Sequence, residues 1–103
     1  MDRRLVLLAP EDNCVVVARA LSAGERVEID GVDMVVGSTV AIGHKLARRA
    51  IAEGEQVIKY GAIIGHATAA IAAGTHIHTH NLDSDYIQTF TLAPGQLFVA
   101  ARA

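Results

Sequence analysis

Tryptophan is absent from the 103 residues of this chain; phenylalanine and tyrosine occur twice each, proline twice and cysteine once. So few rings leave a core of Val, Ile, Leu and Ala within a hydrophobic fraction of 51%. The lone Cys14 cannot form an internal disulfide, which suits a reducing cytoplasm. Its place between a polar turn and "VVVA" points to a buried, inert thiol rather than a nucleophile. Nine basic against eleven acidic residues give a net charge of −2, and the nearest things to a basic patch are Arg3-Arg4 and Lys45/Arg48/Arg49. Without excess positive charge or aromatic platforms, nucleic acid is not an expected partner. No apolar run approaches the ~18 residues of a membrane span. The run at residues 5–9 is too short for a signal-peptide core. The expectation is a soluble, cytoplasmic protein with no membrane partner. P-loop, dinucleotide and serine-hydrolase fingerprints are missing too, and without cysteine pairs there is no zinc-finger spacing. At this length one domain with a modest core is expected.

What the chain does have is a repeated turn. "LSAGERV" (21–27), "VAIGHKL" (40–46), "IAEGEQV" (51–57), "IAAGTHI" (71–77) and "LAPGQLF" (92–98) each place apolar residues three before and three after a glycine. Glycine at positive φ closes a tight turn, and the apolar pair tucks it into a core before the chain leaves as a strand. On this reading "RVEI", "QVIKY", "HIHTH" and "QLFVA" begin strands. Asp30-Gly31 and Tyr60-Gly61 are hairpin signals between extended runs. The glycine spacings are too irregular for a solenoid. Two segments, "HKLARRAIAEG" and "HATAAIAAG", have helix-compatible spacing or composition, so short helical turns are expected there. The fold class predicted is mainly β, with many short strands and glycine-punctuated turns.

"GTHIHTHNL" (74–82) carries three of the five histidines, at strictly alternating positions. In an extended strand His76, His78 and His80 share one face and Ile77 the other. Neutral imidazole is the commonest ligand for borderline metals such as Fe²⁺ or Zn²⁺. The row therefore offers two or three donors, with Asn81 placed to orient them. The plainer alternative is a polar, solvent-facing strand face. The row contains no carboxylate, so further ligands would come from elsewhere.

With "GHK" (43–45), "GEQVIKYG" (54–61), "IG" (64–65), "IAAG" (71–74) and "HIHTHNL" (76–82) in order, the sequence resembles the SAF domain of altronate and galactarate dehydratases. The resemblance covers most of residues 13–82, leaving 83–103 as C-terminal strands of the same domain. It implies a β-clip fold related to type III antifreeze proteins. It also implies a divalent metal, commonly Fe²⁺, and a β-elimination on a sugar acid or related 2-hydroxy acid. In many relatives a large catalytic part follows. A chain of this length resembles the split versions, where the SAF module is a small subunit of a dehydratase or of a sulfolactate sulfo-lyase. The implied partners are thus a large catalytic subunit and a small-molecule acid, with homo-oligomerisation left open. A non-catalytic SAF module that binds a small acidic ligand is the alternative.

The match assigns His44 and Lys45 to catalysis, since Lys is a point charge for a carboxylate and His a proton carrier. By residue type alone the pair reads as a solvated loop. Lys59, Tyr60 and Gly61 become substrate-binding candidates together with Asn81, Gly61 letting backbone approach a ligand. For Tyr60 core packing is the stronger reading, because large side chains are scarce. His66 reads as structural.

Overall fold

The computed structural model describes residues 1–84 and the backbone strands at 86–93 and 96–101. In order the strands are β1 (Leu5–Val6), β2 (Cys14–Val17), β3 (Arg26–Ile29), β4 (Val32–Val35), β5 (Lys45–Ala47) and β6 (Gln56–Lys59). They continue with β7 (Ala62–Ala67), β8 (His76–Ile77), β9 (Leu82–Ser84), β10 (Tyr86–Ala93) and β11 (Gln96–Ala101). All pairings are antiparallel: a four-stranded sheet β1-β2-β5-β8, a three-stranded sheet β6-β7-β9, and the hairpins β3-β4 and β10-β11. The chain is mainly β, as a β-clip requires. Among the described residues no helix is long and apolar enough to cross a membrane.

Glycine makes the turns. Gly24, Gly43, Gly54 and Gly74 have φ of 89°, 87°, 82° and 80°, and each stands two residues before a strand or, at Gly43, before β5. The fifth expected turn, at Gly95, lies outside the described residues. Both hairpin signals hold as well. Asp30-Gly31 (51°, 83°) and Tyr60-Gly61 (55°, 73°) carry the paired positive φ of a type I′ turn.

The expected helical turns are absent. In "HKLARRAIAEG" Leu46 and Ala47 belong to β5, Ile51 pairs across to Ile71, and the Gly54 N–H donates to Ala67 O (2.7 Å). In "HATAAIAAG" Ala67 ends β7 and the Gly74 N–H donates to Ala47 O (2.8 Å). Long-range backbone partners outbid the local i, i+4 ladder that alanine would favour.

These bonds repeat. Leu21 bridges Val40 as Ile51 bridges Ile71. Gly24 N–H meets Val36 O as Gly54 N–H meets Ala67 O, and Gly43 N–H meets Val17 O as Gly74 N–H meets Ala47 O. Even the turn caps match: Glu25 accepts from Ser22 N–H, and Glu55 from Ala52 N–H. Residues 17–74 thus contain two copies of one unit set about thirty residues apart, a period hidden from a glycine count because each copy holds two glycine turns.

The buried residues form two cores. The first joins Leu5, Val15, Val17, Leu21, Val27, Ile29, Val36, Val40 and Leu46; the second joins Cys14, Ala47, Ile51, Val57, Ala67, Ile71 and Ile77. The four-stranded sheet is the partition between them. Val15 lies opposite Leu46, and Leu46 opposite His76; Cys14 lies opposite Ala47, Val16 opposite Lys45, and Lys45 opposite Ile77. Because side chains alternate along a strand, Val15, Leu46 and His76 face the first core, and Cys14, Lys45, Ala47 and Ile77 face the second. β8 is an edge strand of this sheet.

Candidate metal and acid site

His44 ends the turn before β5, and His76 opens β8, two strands that pair directly. This brings His44 Nδ1 within 2.9 Å of His76 Nε2, one nitrogen donating and the other accepting. The strand that was expected to run through "HIHTH" stops at Ile77. The Asn81 side chain is the reason: its Oδ1 accepts from His78 N–H (2.9 Å) and its Nδ2 donates to His76 O (2.9 Å). Backbone bonds from Asn81 and Leu82 N–H to His78 O complete a tight turn. Ile77 is fully buried, as alternation requires. The histidines gather by a fold in the chain instead of standing in a row.

The His76 and His78 rings stack at 5.5 Å, and His44 lies 5.1 Å from the first and 4.7 Å from the second. One ring nitrogen from each of His44, His76 and His78 lies within 4.8 Å of the others. His80 reaches the edge of this group, 5.7 Å from His76 by ring centre, but does not share the nitrogen cluster. Burial, reinforced by His44, His78 and the other charges nearby, lowers the His76 pKa. Two nitrogens bonded to one ion at ~2.1 Å stand roughly 3–3.5 Å apart; the donor type suits a divalent cation, and the 4.8 Å spread of the three nitrogens would have to close on binding one. Among the described residues no carboxylate joins the three.

Lys45 leaves the cluster along β5 and is half-buried. Desolvation lowers its pKa first, and the Lys59 charge adds to this. Among the described residues neither lysine is in an ion pair. Two clefts flank the cluster. One, of about 400 Å³, is lined by Lys45, His78, Thr79 and residues 82–84; the other, of about 360 Å³, is bounded by His76, His80, Thr75 and Ser38.

Lys59, Tyr60 and Gly61 line neither cleft. The expected core role of Tyr60 is corrected: its side chain is 74% exposed, because residue 60 is the first corner of the β6–β7 turn. The amides of Tyr60 and Gly61 are not free for a ligand, since both donate to the Asp12 carboxylate at 2.8 Å. Asn81 is likewise engaged through both side-chain groups and is buried, so it orients the histidine turn.

The sequence reading missed Asp12 and Asn13, buried at 2% exposure each. Asn13 donates to Gln56 O and accepts from Ile58 N–H, fastening β6 beside β2. In sequence, "PEDN" reads only as a polar turn before Cys14. Cys14 is buried as expected, its thiol pushed up to about 11 by burial and then by the Asp12 charge. His66, in β7, stands 3.9 Å from Asp83.

A family description of the altronate/galactarate dehydratase SAF domain matches residues 3–85. The chain belongs to that family. It is 34% identical over 94 residues to the altronate dehydratase of Bacillus subtilis, covering 89% of this chain and 19% of that protein. To the altronate dehydratase of Escherichia coli it is 47% identical over 70 residues, 68% of this chain and 14% of that protein. It is also similar to the (2R)-sulfolactate sulfo-lyase subunit alpha of Chromohalobacter salexigens, 49% identical over 47 residues, 46% of this chain and 50% of the subunit. The SAF chain therefore spans less than a fifth of the dehydratases it matches, and half of that subunit.

Proposed function

We propose that this SAF domain is the small part of a metal-dependent lyase acting on a sugar acid or related 2-hydroxy acid, and that it works with a large catalytic subunit. The observation that carries the reading is the meeting of three imidazole nitrogens within 4.8 Å beside a half-buried lysine. His44, His76 and His78 would hold a divalent cation, commonly Fe²⁺ in such lyases, with remaining ligands from the large subunit. When bound, the ion supplies Lewis-acid polarisation of the substrate's oxygens. Lys45 holds the substrate carboxylate, its charge unquenched by any carboxylate of the described residues. Asn81 fixes the histidine turn and so limits how far the rings reorganise on binding. The elimination removes the α-proton and expels the β-hydroxyl as water, leaving an enol that becomes a 2-keto acid. The base for that proton belongs to the large subunit.

The match to sulfo-lyase subunits, at 49% and 45% identity, favours a second reading in which sulfite leaves from the β-carbon in place of water. Co-expression with a large dehydratase-like subunit, then assay on altronate, galactarate and sulfolactate with Fe²⁺, separates the two. The expected result is turnover by the assembled pair and none by this chain alone. A His76→Ala/His78→Ala double variant should abolish turnover while the small domain keeps its circular dichroism. Full activity of the assembled double variant would overturn the proposal.

A further inference from the structure

The two copies of the repeated unit carry the same type I′ turn, at residues 30–31 and 60–61, and fill its first corner differently. Asp30 suits its φ of 51°, because a short polar side chain tolerates the left-handed region. It is also used inside the molecule, accepting from Arg48 Nε at 2.7 Å. Tyr60 takes the same conformation, φ 55°, with a bulky ring that disfavours it. That ring is one of two tyrosines in the chain, and it stands in solvent at 74% exposure. Among the described residues its hydroxyl has no hydrogen-bond partner. A strained corner that gives the chain itself no contact points to a use outside it.

The surroundings hold the ring in place. Asp12 Oδ2 accepts from both Ala9 and Tyr60 N–H, and Oδ1 from Gly61 N–H, so the turn is fastened to the loop before β2. Arg48 Nη1 donates to Pro10 O and Asp12 O while its Nε holds Asp30, which ties both turns to that one loop. Glu11 lies over Gly61, its Oε1 2.7 Å from where a Cβ would stand. Lys59, half-buried, is in no ion pair among the described residues. A fixed, exposed tyrosine within a polar, charged rim has the make-up of an interface hot spot.

We infer that Tyr60 is the anchor by which this domain docks on the large catalytic subunit, filling a ring-sized apolar recess whose rim sets a carboxylate opposite Lys59. The inference rests on the two-subunit lyase reading above and names the contact which that reading leaves open. Position chooses this partner. Cys14 Sγ meets Ile58 O at 3.3 Å, so the end of β6 lies against β2, and β2 pairs with β5 just after His44. A large body seated on Tyr60 therefore has Lys45 and the imidazoles within reach, where the remaining metal ligands have to come from. In both matched dehydratases the SAF part is under a fifth of the whole, so a body of that size has to rest on it somewhere. A second copy of this chain offers no matching recess, because the two clefts described are those of the histidine site.

Stability and assembly test this separately, both in the full chain. Tyr60→Asn keeps the N–H that Asp12 accepts and relieves the left-handed strain, so the isolated chain should melt roughly 2–6 °C higher. Its affinity for the large dehydratase-like subunit, by titration calorimetry, should fall about 30-fold or more, the share that a buried tyrosine anchor carries. Native affinity in Tyr60→Asn overturns the anchor while the two-subunit reading stands. A melting temperature that does not rise overturns it as well, since the ring would then serve the chain's own fold. Self-association of the native chain that Tyr60→Asn abolishes overturns the choice of partner and gives the anchor to a second copy. Failure of the native chain to bind the large subunit overturns the two-subunit reading and this inference together.

Discussion

Asp12 shows how much a single carboxylate organises here. Its oxygens accept from Ala9, Tyr60 and Gly61 N–H, at 3.1, 2.8 and 2.8 Å, tying the chain before β2 to the β6–β7 turn. Asp12→Ala strands these donors and should cost roughly 2–4 kcal/mol, whereas Asp12→Asn, keeping one acceptor oxygen, should cost less; urea unfolding of both variants checks the order. Cys14 gives a pH signature. Its thiol titrates at about 11 in the fold against an ordinary 9.0, so between those values the unfolded chain has already lost a proton that the folded chain keeps. Stability should therefore fall as pH rises from 9 to 11, by about 2 kcal/mol from this group, and Cys14→Ala should flatten that part of the curve. Iodoacetamide should leave Cys14 unmodified at pH 8 in the native protein. At this scale the sequence was half legible. "GHK" and the histidine spacing pointed to a cluster, yet the choice of His44 over His80 depends on β5 pairing with β8, a contact no local pattern encodes. Asp12 was invisible for the same reason, because its partners lie almost fifty residues away.

Among elements, the glycine turns were the most readable, since a positive φ restricts the residue type wherever it occurs. Their costs should nonetheless differ. An added Cβ at Gly54 meets nothing within 4 Å; at Gly74 it meets Met34 Sδ at 2.8 Å; at Gly65, in β7, it would collide with the backbone oxygen of Asp83. Gly54→Ala should then cost about 1 kcal/mol from φ alone, Gly74→Ala more, and Gly65→Ala the most, because β7 and β9 must part. Thermal melts of the three variants test the ranking. The histidine turn is the element that misled. Alternation predicts a strand through residue 80, but Asn81 turns its amide back on residues 76 and 78 and offers the backbone a competing partner. Asn81→Ala should weaken Zn²⁺ binding by roughly 10- to 100-fold without removing a ligand, measurable by competition with a chelating dye. Helix-compatible spacing failed similarly: of the alanines that suggested it only Ala47 and Ala67 are buried, both in strands, while Ala50, Ala52, Ala69, Ala70 and Ala72 are exposed.

For the whole molecule the deciding feature is the sheet shared by two duplicated units. Neighbouring residues of β5, Leu46 and Ala47, belong to different cores, so neither unit has an interior of its own. Leu46→Ala should cost roughly 2–5 kcal/mol and loosen both halves alike. Hydrogen exchange should show amides of the second unit, such as Val57 and Ala67, losing protection together with those of the first. Protection lost in the first unit alone would show that the halves are separable. The duplication escaped the sequence reading because identities such as Gly24/Gly54, Glu25/Glu55 and Val27/Val57 are interspersed with changed positions, Val17 with Ala47 and Val36 with Ala67, where only the hydrogen bonds agree.

That shared sheet also sets an order of assembly. β8 contributes two residues and pairs only with β5 among the named strands, so it has nothing to dock on until both ends of β5 are held. Closure of the loop between them is entropically costly and brings little reward before β2 and β5 have joined. Among the described residues, the contacts of His44 with His76 and His78 should form late in refolding. A cation that needs all three imidazoles would then bind only finished molecules, and its capture rate would clock the end of folding instead of its beginning.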